Sequence, residues 1–156
     1  MSIYKKHWGR GVYNLTVKKY LKRFGDLDLE IKMKYEQLQK LYAVRSVPAA
    51  SQNNLNAEAF SDIDAAFANM EQQYAADIKR LLQLRHDIQN TINSLDDSTQ
   101  RIVLTEKYIN LKQPDDIAIE IPCDVRTVYR WLNEAILALQ TQYPSMFEAE
   151  ALSNSR

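Results

Sequence analysis

Apolar side chains recur at three- and four-residue steps along two long stretches of this sequence. The first stretch carries Leu15, Tyr20, Leu21, Phe24, Leu27, Ile31, Tyr35, Leu38 and Leu41. The second carries Ile63, Phe67, Met70, Tyr74, Ile78, Leu81, Ile88, Ile92 and Leu95. Such steps place side chains on one face of an α-helix. Only three glycines and four prolines occur in 156 residues, so few turns can form and the sequence predicts an all-α protein.

The long helices predict a domain order for the N-terminal half. Residues 1–45 form a basic arm and a helix that begins near Asn14, and residues 46–60 form a polar linker containing Pro48. Ser61 and Asp64 resemble a capping box, so a second helix is expected over residues 61–95. Stripes this long need a partner helix. An intrachain helical hairpin, a coiled coil between two copies in a homodimer, or both together fit the pattern.

A helix-turn-helix pattern follows between Ile117 and Trp131. Ala118 is small enough for two helices to approach closely, Pro122 ends the first helix, and Asp124 can cap the second. A preceding helix from Ser98 to Ile109 is expected, started by Asp96 or Asp97, with Pro114 at the first position of the next helix. Its expected core face is Ile102, Val103, Leu104 and Tyr108. Residues 96–144 are therefore predicted to form a three-helix DNA-binding domain, followed by a flexible tail over residues 145–156.

The second helix of this unit points polar side chains away from its apolar face. Arg126, Tyr129, Arg130 and Asn133 occupy the outward positions, whereas Trp131 shares the apolar face of Val128. The second helix of such a unit enters the DNA major groove, where an arginine can bind guanine through two hydrogen bonds. We therefore expect these four residues, with Lys112 of the preceding turn, to contact DNA. The alternative is that they are ordinary surface residues.

Charge is distributed unevenly although the net charge of the chain is zero. Residues 1–42 hold ten basic and four acidic residues, and the remainder is correspondingly acidic. The N-terminal arm, with Lys5, Lys6 and Arg10 among aromatic residues, suits contact with nucleic acid, although a leader without a partner has the same composition. The acidic remainder argues against attraction to DNA by charge alone.

The residue inventory excludes several classes of function. One cysteine, Cys123, cannot form an intramolecular disulfide, and His7 and His86 lie far apart, so neither a disulfide framework nor a metal site is expected. No glycine-rich phosphate loop or nucleophile motif occurs, which predicts a protein that is not an enzyme and uses no cofactor. No apolar run of about 18 residues and no secretory signal is present, so a cytoplasmic protein without a membrane span is expected.

The order of these segments resembles a known family. A basic helix, a polar linker and a long helix precede Leu104-Thr105-Glu106-Lys107-Tyr108-Ile109, Asp116-Ile117-Ala118 and Arg126-Thr127-Val128-Tyr129-Arg130. This arrangement resembles the RinA/ArpU-like phage transcriptional regulators, whose C-terminal part is similar to the promoter-reading region of sigma factors. The resemblance implies an activator of late, packaging-related genes that binds promoter DNA and acts with host RNA polymerase. It also implies a DNA-contacting role for Arg126, Thr127, Tyr129 and Arg130.

The sequence departs from the family pattern at two places, and two other functions also fit its layout. Asp124 stands where the family usually has serine, and Pro114-Asp115 stands where an aromatic residue and glutamate are common. A phage terminase small subunit also joins a helix-turn-helix to long helices, although its DNA-binding unit is normally N-terminal. A helical adaptor that binds proteins and has lost affinity for DNA is the third hypothesis.

Overall fold

The structure is a computed structural model that describes residues 16–46 and 57–147. These residues form α1 (Val17–Arg45), α2 (Ala57–Asn93), α3 (Ser98–Leu104), a π-helical turn (Thr105–Ile109), α4 (Pro114–Glu120) and α5 (Val125–Gln142). The described residues contain no β-strand, so the prediction of an all-α protein is confirmed. Within the same residues, no helix combines the length and the apolar character needed to cross a membrane.

The chain divides into two compact units. The hairpin unit consists of residues 23–91, and the described part of the C-terminal unit consists of residues 16–22 and 92–147. The first turns of α1 therefore belong with the helix-turn-helix region, whereas the sequence had suggested one N-terminal domain over residues 1–45.

In the hairpin unit, α1 and α2 run antiparallel. Ion pairs join Asp28 to Arg85, Lys34 to Asp77 at 3.2 Å, and Arg45 to Glu71 at 3.8 Å. Pairs that lie closer to the end of α1 involve residues closer to the start of α2, and this order is that of an antiparallel pair of helices. The intrachain hairpin, one of the two arrangements that the sequence allowed, is therefore present in the structure.

The apolar stripe of the hairpin is buried along only part of its length. Phe24, Leu27, Leu81, Leu84 and Ile88 are buried. The hairpin leaves three residues of the predicted stripe uncovered: Ile63, Met70 and Tyr35 are 41%, 42% and 55% exposed. The last residue of α1, Arg45, pairs with Asp64 and Glu71, so the first turns of α2 extend beyond α1. Next to Tyr35, the ammonium of Lys34 pairs with Asp77 and lies 5.6 Å from the Tyr74 ring centroid, which leaves Tyr35 at the flank.

The linker predicted over residues 46–60 is too long at its C-terminal end. Helix α2 begins at Ala57, so Ser61 lies inside the helix and is not its cap. Ala57, Glu58 and Ala59 are strong helix formers, and the Glu58 carboxylate in the first turn interacts favourably with the helix dipole. Residues 47–56 lie outside the described residues.

The C-terminal unit is built around α5, which contacts both α3 and α4. The buried side chains of α5 are Val128, Leu132, Ala135, Ile136 and Leu139. They pack with Val103 and Leu104 of α3 and with Ile117 and Ala118 of α4, which are also buried. The prediction that Ile102 belongs to this core is wrong, because Ile102 is 48% exposed. Neighbouring residues of a helix point about 100° apart, and Val103 and Leu104 take the inward directions.

Residues 143–147 close the C-terminal unit. The amide of Phe147 donates to the carbonyl of Tyr143 at 3.2 Å, and the Phe147 side chain is 3% exposed. Its ring meets the Tyr20 ring edge-on at 5.3 Å between centroids, and Val17 and Leu21 are buried on the same turns of α1. The predicted flexible tail is therefore wrong for residues 145–147, and residues 148–156 lie outside the described part.

Replacing Phe147 tests whether this segment stabilises the unit. Phe147→Ala removes a buried ring and its contact with Tyr20, so we expect a loss of about 3–5 kcal/mol in the free energy of unfolding. Urea unfolding followed by circular dichroism measures the loss, with the half-buried neighbour Met146→Ala as control. A loss below about 1 kcal/mol for Phe147→Ala would contradict this packing.

Candidate nucleic-acid interface

The turn between α4 and α5 is fixed by short-range hydrogen bonds. At the end of α4, the amide of Ile121 donates to Ile117 at 2.9 Å and the amide of Cys123 donates to Ala118 at 3.2 Å. The Asp124 side chain then accepts from the amide of Arg126 at 2.8 Å and caps α5. The predicted Asp124 cap and the predicted Pro114 at the start of α4 are both confirmed.

Helix α5 presents a polar face opposite its buried face. Arg126, Tyr129, Arg130 and Asn133 are exposed, and Thr127 is half-buried. The guanidinium of Arg130 lies 3.9 Å from the Glu134 carboxylate, whereas Arg126 forms no ion pair with any residue in the described ranges. The predicted contact residues of α5 therefore lie together on one helix, with Arg126 and Arg130 one turn apart.

Lys112 differs from the other predicted contact residues because its charge is already compensated. Its ammonium pairs with the carboxylates of Glu106 and Glu120. These two hydrogen bonds raise the pKa of Lys112 above its ordinary range, and the bond to Glu106 has the larger effect. The side chain thereby ties the loop after the π turn to the end of α4. The contact of Lys112 with DNA stays a prediction. The predicted arm residues Lys5, Lys6 and Arg10 lie outside the described residues.

Two exposed apolar residues of α4 and α5 were not singled out from the sequence. Leu137 is 62% exposed and lies four residues after Asn133, so it shares the outward face of α5. Ile119 of α4 is 78% exposed. The exposure of Leu137 could have been predicted from its helical position, which is opposite that of the buried Val128. Trp131, expected in the core, is only half-buried, because it lies at the edge of the buried face of α5.

The loop before α4 contains a residue in a costly conformation. Leu111 has a φ of 57°, which is the left-handed region that favours glycine. It follows the end of the π turn, where the amide of Lys112 donates to the carbonyl of Glu106 at 3.0 Å. This bond is typical of a helix end closed by a left-handed residue. Leu111 is 61% exposed, so burial of its side chain offsets little of the backbone cost.

The charge of the predicted DNA-binding domain is negative. Residues 96–144 hold five basic residues, Arg101, Lys107, Lys112, Arg126 and Arg130. They hold eight acidic residues, Asp96, Asp97, Glu106, Asp115, Asp116, Glu120, Asp124 and Glu134. Asp97 and Asp124 cap α3 and α5, and Asp115 and Asp116 lie in the first turn of α4. Much of the negative charge therefore serves helix starts.

The described part of the chain contains no cluster of side chains suited to binding a metal ion. No group of three or more histidine, cysteine, aspartate or glutamate side chains there could hold a metal ion. Cys123 is a half-buried free thiol in the turn between α4 and α5.

Residues 52–140 match the family model described as "Protein of unknown function (DUF1492)". This match covers more than half of the 156 residues. The chain belongs to the DUF1492 family. The DUF1492 segment contains α2, α3, α4 and all but the last two residues of α5, and α1 precedes it. Neither the curated proteins nor the solved structures contain a match to this chain.

Glycine at position 111 is expected to stabilise the protein. The left-handed conformation costs a non-glycine residue about 1–2 kcal/mol, and the greater freedom of unfolded glycine returns about 0.5–1 kcal/mol of that. We therefore expect Leu111→Gly to raise the free energy of unfolding by about 0.5–1 kcal/mol, measured by urea denaturation.

The matched control for this substitution is the preceding residue. Asn110 has an ordinary φ of −87°, and its side chain donates to Glu106 at 3.0 Å, so Asn110→Gly should destabilise the protein. A destabilised Leu111→Gly variant would contradict the account of this loop.

Proposed function

We propose that this protein is a phage- or prophage-encoded transcriptional regulator that binds double-stranded promoter DNA. In this proposal it activates late, packaging-related genes together with host RNA polymerase in the cytoplasm of the bacterial host, and it is a binding protein rather than an enzyme. One observation carries the proposal: α5 is capped by Asp124 and exposes Arg126, Arg130 and Asn133 opposite its buried face. This is the arrangement by which a recognition helix reads the major groove.

The side chains on this face suit base recognition. An arginine can bind guanine and an asparagine can bind adenine, each through two hydrogen bonds. The Arg126 side chain is free of ion pairs to described residues. Arg130 and Glu134 are 65% and 54% exposed in their side chains, and so exposed a pair is worth little and exchanges readily for a DNA contact.

The phage context of the proposal comes from the sequence. The segments around residues 104–109, 116–118 and 126–130 resemble the RinA/ArpU-like regulators, and the DUF1492 segment covers all three of them. The regulatory role, the late-gene target and the polymerase partner are proposed from that resemblance.

A homodimer fits the proposed DNA recognition, because dimers read two half-sites about one helical turn apart. We propose the hairpin unit as the dimer contact. An open apolar groove of about 520 Å³ lies there, lined by Tyr35, Leu38, Ala75, Ile78 and Leu82 with Lys79 and Gln83 at its side. Lys79 is the one charged residue of this lining, and the cores of subunit interfaces are poor in charge.

A helical adaptor is the second candidate function. The negative charge of residues 96–144 and the exposed Ile119 and Leu137 favour it, because both features suit a protein surface better than DNA phosphates. An adaptor of this kind has no affinity for DNA, so the native protein itself would not bind a duplex.

DNA binding by the native protein separates these two functions, and Arg126→Ala tests the role of α5 in that binding. If Arg126 binds a guanine, its loss should weaken specific binding by about 1–3 kcal/mol, roughly 5- to 150-fold, and relax the preference at one base pair. Fluorescence anisotropy with the preferred duplex and its single-base variants measures both effects. Arg80→Ala, an exposed arginine in the hairpin unit, is the control. Unchanged affinity and unchanged base preference in Arg126→Ala would contradict the proposed role of α5.

A further inference from the structure

Three lysines at the start of α1 form a positively charged surface of the C-terminal unit. Lys18, Lys19 and Lys22 are exposed, and all three lie in the part of α1 that belongs to this unit. None of them forms an ion pair with a described residue. By contrast, Lys34, Arg45 and Arg85 of the hairpin unit and Lys112 beside α4 are paired with carboxylates. We call Lys18, Lys19 and Lys22 the lysine surface.

The lysine surface is held in a fixed position by the apolar side of the same turns. Val17, Tyr20 and Leu21 are 1%, 2% and 0% exposed, and the Tyr20 ring packs edge-on against Phe147. Because Phe147 follows the end of α5, the lysine surface lies near the C-terminal end of that helix. Arg126 lies at the other end of α5, about 24 Å from Gln142 along the helix axis at about 1.5 Å per residue.

The lysine surface offsets the negative charge of the rest of the C-terminal unit. Residues 96–144 have a net charge of −3, which opposes binding to a polyanion. With the lysine surface, the described residues of the C-terminal unit hold eight basic and eight acidic residues and reach a net charge of zero. Three unpaired lysines on a rigid support are therefore the largest uncompensated positive charge that this unit offers in its described part.

We infer that Lys18, Lys19 and Lys22 bind backbone phosphates of duplex DNA at a second place on the duplex, separate from the bases read by α5. This inference rests on the proposed DNA binding and adds a second contact to it. Lysine is a point charge that binds phosphate without reading sequence, so the lysine surface contributes affinity and salt dependence while α5 contributes specificity. It lies outside the residues matched by the family model.

The test compares two triple variants of the full chain that lose the same charge. Lys18→Gln/Lys19→Gln/Lys22→Gln removes the lysine surface, and Lys32→Gln/Lys40→Gln/Arg80→Gln removes three exposed cations of the hairpin unit that lie outside the proposed dimer groove. Binding to a mixed-sequence duplex is measured by anisotropy between about 50 and 200 mM salt. Equal melting curves by circular dichroism establish that both variants are folded.

Each phosphate contact contributes about 0.9 to the slope of log affinity against log salt concentration. Loss of three contacts should therefore lower the slope by about 2.7, so that the native protein loses about 40-fold more affinity than the variant over this range. The hairpin variant should keep the native slope.

Other results separate the failure of this inference from that of the proposed function. Equal slopes for all three proteins, with binding still dependent on Arg126, would overturn the lysine contact alone and leave an acidic protein surface as the partner of these lysines. A native protein that binds no duplex at 50 mM salt would overturn both the lysine contact and the proposed DNA binding.

Discussion

The burial of one face of α5 is the interaction on which the rest of the C-terminal unit depends. Val128, Ala135 and Leu139 are fully buried among α3 and α4, and this burial fixes the rotation of α5 about its axis. Because helix residues at intervals of three and four share a face, fixing the buried face also fixes the outward direction of Arg126, Arg130 and Asn133. The Asp124 cap sets where the helix begins and therefore where this outward stripe starts.

Electrostatics divides the remaining side chains into two groups. Carboxylates of the C-terminal unit are used largely inside the fold, as helix caps or, for Glu106 and Glu120, as partners of Lys112. The exposed cations that remain uncompensated in that unit include Arg126 and the lysine surface of α1. A unit whose described residues have a net charge of zero can therefore still offer positive charge locally, which is the property that DNA binding requires.

Features set by local chemistry were predictable from the sequence, and those set by distant contacts were not. The cap at Asp124, the proline at the start of α4 and the helical period depend on neighbouring residues, and all were predicted. Burial of Phe147 depends on Tyr20, which lies far earlier in the chain, so a local pattern could not find it. The extension of α2 beyond α1 also depends on the other helix of the hairpin, and the ion pairs of Lys112 depend on how the loop folds between Glu106 and Glu120. The outward residues of the candidate site followed from the helical period, whereas the compensation of Lys112 did not.

The proposed function depends on whether α5 reads DNA sequence. The most direct test is selection from a pool of random duplexes by the purified native protein at moderate salt, followed by sequencing of the retained DNA. We predict one enriched motif, either symmetric or directly repeated, that contains a guanine at the position sensitive to Arg126. Retention without any enriched motif would contradict sequence reading by α5, and the absence of any retention would contradict DNA binding altogether.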